Sequence, residues 1–278
     1  MKFKILFLIL TFSMIVRTTS FNVLSTYWRD STYYAEHVAI MAMFAAMTVT
    51  SVIQFGLNKK KLAIILGKVT TPSHTLLSIT VAVLLLMLTF GESAAFTLSL
   101  AQYNIQNAYD LGKFHAETYD SHSFFSPPIL VFIFSSVILP AIFEEIFFRG
   151  LVFRSLYKEH SFFKSAVWTA VFFTSVHFLK PVYISTFLFS LVLSYLYAAT
   201  RSLPSCMIAH ATFNFLAFIN QHYFDFHRIR DLSQISHLHD WIPQFAMLGF
   251  SLIAFSLLVL WFKDAIKQAA LPQLPSTT

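Results

Sequence analysis

Charge is what this 278-residue sequence most lacks. Only 12% of its residues are charged, against about 25% in a soluble domain, too few to cover a water-facing surface. A single cysteine, Cys206, excludes an intramolecular disulfide framework and any cysteine-based zinc cluster. Six glycines leave little material for a glycine-packed transporter core. There is no His-Glu-x-x-His, so the usual zinc-protease helix is absent. There is no Gly-x-Ser-x-Gly, so a serine nucleophile elbow is unsupported. His115-Ala-Glu117 has no Cys-x-x-Cys after it, which removes a zinc deaminase site. What is abundant is apolar: 56% of residues are hydrophobic and 33 are phenylalanine. The mean hydropathy is +0.66.

The apolar residues gather into eight segments at about 5–16, 37–56, 75–90, 128–148, 164–179, 182–199, 205–220 and 242–262. Several approach the roughly 20 residues a spanning helix needs. The fold expected is therefore all-α, a polytopic transmembrane bundle of about eight helices. The first segment is short and follows Lys2 and Lys4, as in a signal peptide. Thr18-Thr19-Ser20 resembles a cleavage region only loosely and Arg17, just before it, argues against one, so an uncleaved first span is the preferred reading. Either reading puts 18–36 outside the membrane.

The net charge of +6 is a topology signal and not a nucleic-acid footprint, because the basic residues sit in short connections. With the N-terminus inside, most Lys and Arg fall on the cytoplasmic side, including Lys59, Lys60, Lys61, Arg154 and Arg201, while Arg17 and Lys180 fall outside. The positive-inside rule then places both termini in the cytoplasm. Three regions follow: 1–125, membrane segments of unassigned role; 126–220, a core holding the chemistry-bearing residues; and 221–278, an outer loop, a last span and a short tail. The loop holds His222, His227, His237 and His239 beside Asp225, Asp231 and Asp240. This group reads as solvated, with metal binding as the lesser alternative.

Three places carry polar residues where a membrane helix disfavours them. In PAIFEEIFFRG, residues 140–150, Glu144 and Glu145 interrupt an apolar run. Insertion of a charge at a helix centre costs about 2.5–3.5 kcal/mol, and such residues usually face a bundle interior or a wet cavity. Glu145 and Arg149 have the favourable acid-first i,i+4 spacing for an ion pair. Glu144 lies about 100° round the helix and so remains to exchange protons. Pro140 has no N–H, which deprives the Ser136 carbonyl of its helical donor. The second place is His177, with Phe173 one turn before it; the third is His210 and Asn214, four apart on one face. Taken singly, each has a bland explanation: a snorkelling helix end, an interfacial histidine, interhelical hydrogen bonding. Together they form a hydrolytic set, with a carboxylate to take a proton from water, a histidine beside it, and donors for an oxyanion. Two histidines with a carboxylate also suit zinc.

The order Glu144-Glu145-x-x-x-Arg149, Phe173-x-x-x-His177, His210-x-x-x-Asn214 resembles the signature of the CAAX-protease and bacteriocin-processing family of intramembrane proteases, also described as CAAX prenyl protease 2-like or Abi. The resemblance covers roughly 128–220. It implies a site within the bilayer in which Glu144 activates water, His177 assists, and His210 and Asn214 meet the oxyanion. Glu145 would support through Arg149, with Phe173 beside His177. It implies peptide-bond hydrolysis of a membrane-embedded or lipid-anchored substrate and, through bacterial relatives, a cell (inner) membrane location. A metal-free glutamate mechanism is favoured; a divalent metal such as zinc on Glu144, His177 and His210 is the alternative. Two other readings stand beside the protease: a non-catalytic immunity or scaffold protein, and a proton-coupled transporter, although no internal repeat supports the latter.

Overall fold

The computed structural model describes residues 3–28, 32–110, 127–177, 183–220, 233, 235 and 237–267. Among them the named elements are helical: α1 (Phe3–Tyr27), α2 (Thr32–Phe55), α3 (Lys59–Leu66) and α4 (Pro72–Tyr103) come first. A single helical rod follows, built from α5 (Pro127–Phe132), α6 (Leu139–Glu145) and α7 (Arg154–Tyr157). Two π-helical stretches, Ile133–Ile138 and Ile146–Phe153, join these three. Then come α8 (Phe162–Ser175), α9 (Tyr183–Thr200), α10 (Leu203–Ile219) and α11 (Ile242–Lys267). Five of these, α1, α2, α4, the rod and α11, are long and apolar enough to cross a membrane. Exposed side chains such as Leu8, Ile53, Ile253 and Leu257 give the bundle the apolar exterior that lipid requires. The chain is an all-α, multi-pass membrane protein.

The described part of each of the eight apolar segments lies mainly in a helix, but the ends differ in instructive ways. Residues 18–27, expected outside, continue α1. Their polar side chains do not break the helix because they fold back on it: Ser25 Oγ donates to the Asn22 carbonyl and Thr26 Oγ1 to that of Val23. Arg17, expected in a loop, is therefore inside a helix. α4 runs to Tyr103, shortening a connection expected over 91–127; Glu92 is absorbed because its carboxylate accepts from the backbone N–H groups of Ile184 and Ser185 at the start of α9.

α3 was hidden behind three lysines. Asn58 caps it by accepting from the Lys61 N–H, and Gly67, at φ 69°, ends it. Gly67 also lies so close to Arg201 that a Cβ would meet the Arg201 carbonyl. α3 is locked onto the rod and α9 by buried polar groups. Arg154 donates to the Tyr197 hydroxyl at 2.8 Å and to the Ile64 carbonyl, and Tyr197 donates to that of Ile65 at 2.8 Å. At Gly150 the α3 side chain Ile65 fills the place a Cβ would take.

The rod's first π stretch precedes Pro140. Leu139 N–H donates five residues back, to Phe134, the wider turn that π-helices use, often at functional sites. α8 has 14 residues, about 21 Å at 1.5 Å per residue, short of the roughly 30 Å hydrocarbon thickness. A full-length span 164–179 would put His177 far from the level of Glu144, yet the structure brings the two side chains to within 4.0 Å.

Candidate active site

α6 presents its two glutamates in different directions. Glu145 is fully buried. Its Oε1 accepts from Arg149 Nη1 at 2.8 Å and from His210 Nδ1 at 2.8 Å. Arg149 is also fully buried. Its other terminal nitrogen donates to the Ser190 carbonyl on α9 at 3.1 Å, and its guanidinium lies 5.0 Å over the Phe173 ring. A buried charge is tolerable only when paired and hydrogen-bonded, and four helical segments contribute to that condition here. Oε2 of Glu145 has no hydrogen-bond partner among the described residues, so both bonds converge on one oxygen.

Glu144 faces a cavity of about 250 Å³, which His177, His210 and Asn214 also line. His177 Nε2 stands 4.0 Å from Glu144 Oε2. Its Nδ1 is 2.7 Å from the Phe173 carbonyl. A carbonyl only accepts, so Nδ1 carries a hydrogen and Nε2 is the ring nitrogen turned toward Glu144. Phe173 fixes that ring from the side as well, stacking on it with centroids 4.5 Å apart. Phe189 meets the His210 ring edge-on at 4.9 Å. Asn214 Nδ2 donates to the Ser136 carbonyl at 3.1 Å, the acceptor that Pro140 leaves without its helical partner.

The opposite wall comes from α1 and α2. Leu10, Ser13, Met14 and Arg17 line the cavity from α1; Ile40, Met43, Phe44 and Met47 line it from α2. Both sets follow i, i+3, i+4, i+7, one helical face each. Phe44 stacks against Phe143 of α6, with centroids 6.0 Å apart.

Of the residues the sequence singles out, Glu144, His177, His210 and Asn214 share the cavity; Glu145, Arg149 and Phe173 stand behind it. The wall residues, Phe189 and the Ser190 carbonyl were not anticipated. Arg17 carried a sequence signal, an arginine next to an apolar run; a backbone carbonyl and apolar wall positions carry none. Among the described residues no group of three His, Cys, Asp or Glu is placed to hold a metal ion. Glu144, His177 and His210 do not converge as a ligand set, and His210 Nδ1 is taken by Glu145. From the histidine-rich loop, His239 pairs with Asp240 at 2.7 Å on the surface; His222, His227, Asp225 and Asp231 lie outside the described residues.

Neither the comparison with curated proteins nor that with solved structures returned a match. Residues 126–216, about a third of the chain, match the family described as type II CAAX prenyl endopeptidase Rce1-like, and Glu144, Glu145, Arg149, Phe173, His177, His210 and Asn214 all lie within that stretch.

Proposed function

We propose that the protein is an intramembrane endopeptidase that hydrolyses a peptide bond of a membrane-embedded or lipid-anchored protein or peptide with water activated by Glu144. The observation that carries this is the 4.0 Å separation of Glu144 Oε2 and His177 Nε2 inside a shared cavity. It exceeds a hydrogen bond, and a water at normal distance from both atoms fits it. Glu144 takes a proton from that water as the oxygen attacks the scissile carbonyl, and His177 Nε2 accepts the second O–H and aims it. Glu144 then passes its proton to the leaving amine, so one water is consumed and the carboxylate is restored.

His210 and Asn214 face the tetrahedral oxyanion. Glu145 Oε1 holds His210 Nδ1 at 2.8 Å and so turns Nε2 into the cavity, the orienting part a buried carboxylate plays behind a catalytic histidine. Asn214 uses one amide hydrogen on Ser136 and offers the other. Arg149 fixes Glu145 through its 2.8 Å contact, and the ordering comes from residues that never touch substrate. The excess of basic residues toward one side supports cytoplasmic termini.

The test compares membranes containing wild type or Glu144→Gln, with both proteins quantified after insertion. Shortened peptides appearing only with wild type, and a loss of cleavage of about 10³-fold, are expected. Cleavage should also survive chelation of divalent metals. Normal processing by Glu144→Gln overturns the reading and returns the scaffold or transporter alternatives. Loss of activity on chelation, restored by zinc, replaces the water mechanism with a metal one.

A further inference from the structure

Arg17 is the only Lys or Arg among the described residues lining the cavity. It lies ten residues inside the C-terminal end of α1, within a candidate span, where an ionisable side chain is functional by default. Its one polar partner among the described residues is Glu36, reached through a single nitrogen at 3.4 Å, with Arg17 partly exposed and Glu36 exposed. A guanidinium has five N–H donors arranged to grip a carboxylate with two of them; this contact uses one. Glu36 does not line the cavity, so Arg17 is tethered from outside while its face of α1 turns in.

Its level relative to Glu144 follows from two contacts. His37, next to Glu36, is 2.8 Å from Ser135 on the rod, and Phe44 stacks on Phe143. α2 and the rod therefore run side by side in the same direction. Arg17 stands near the level of Ser135, and Glu144 lies nine residues further along. At about 1.5 Å per residue that separation is roughly 13.5 Å, the reach of about four residues of extended chain at about 3.4 Å each. Between them the wall is apolar, formed by Met14, Ile40 and Met43.

We propose that Arg17 is a specificity-determining residue, which binds a carboxylate of the substrate about four residues from the scissile bond. This rests on the endopeptidase reading for the identity of the bond, and on the cavity alone for the carboxylate. The carboxylate is supplied either by the chain terminus or by an acidic side chain at that distance. An extended substrate then lies along the α1–α2 wall, held at one end by Arg17 while Glu144 and His177 act on the other.

The probe is a fluorescent, prenylated peptide in three forms: free C-terminal acid, C-terminal amide, and amide with an Asp four residues past the bond. It is offered to the full chain in zwitterionic vesicles, so that no anionic headgroup competes. Binding is measured with Glu144→Gln and cleavage with the native residue. The acid should bind at least tenfold more tightly than the amide. Arg17→Gln should bring the two together by weakening the acid alone, Arg17→Lys should keep part of the preference, and Glu36→Gln should enlarge it. Recovery by the Asp peptide assigns the role to a side chain; no recovery assigns it to the terminus. Equal binding of acid and amide to the parent protein, no binding of either, or an unchanged ratio in an inserted Arg17→Gln protein overturns the proposal. A preference in binding with no cleavage by the native protein counts against the endopeptidase reading and leaves Arg17 standing.

Discussion

The two walls of the cavity are built on opposite principles. On one side, the rod, α8 and α10 hold Glu144, His177, His210 and Asn214, backed by the buried Arg149–Glu145–His210 chain. On the other, α1 and α2 pair chiefly with each other, and they offer mostly aliphatic, methionine and aromatic side chains. Methionine is flexible and adapts to irregular partners. The difference teaches that geometry is invested where bonds change, and adaptability where a chain has to be accommodated. The residues of the first wall lie within the stretch that matches the endopeptidase family, and the second wall lies outside it.

Substitutions can break that contrast or sharpen it. The largest effect is expected from Glu145→Gln. It removes one charge from a fully buried pair, strands Arg149 and loosens His210, a loss of about 3–5 kcal/mol. Thermal unfolding in detergent should show it, and an unchanged midpoint would mean that the pair does not organise the first wall. Next is Gly150→Ala, which puts a Cβ into the space of Ile65. Overpacking of this kind costs about 1–3 kcal/mol, and Ile65→Ala in the same chain should recover most of it. The smallest is Met43→Leu with Met47→Leu, a volume-conserving change at under about 1.5 kcal/mol. It should shift KM between substrates a few-fold and leave kcat nearly alone. A collapse of kcat would show that the second wall takes part in the chemistry.

The sequence exposes the first wall far better than the second, for physical reasons. Glu144, Glu145, Arg149, His210 and Asn214 are costly in lipid, so each stands out from its apolar neighbours. The spacing of Glu145 and Arg149 even carries their pairing. Arg149 also needs the Ser190 carbonyl, and no side chain reports a backbone acceptor. The second wall is apolar in an apolar protein, so Met14, Met43 and Met47 are indistinguishable by type from lipid-facing residues. Helix ends were misjudged for related reasons. The polar run after Arg17 satisfies itself by bonding to its own carbonyls, and Glu92 disappears into the start of α9.

The bond from Asn214 to the Ser136 carbonyl ties two remote positions to one irregularity. A perfect α-helix over 132–145 would supply that carbonyl from its own backbone, and Asn214 would lose its mooring. Improving the helix would thus shift Asn214 in the cavity wall. Replacing Pro140 with a better helix former would raise local regularity and release that side chain, so regularity and the placing of Asn214 are opposed at this one turn.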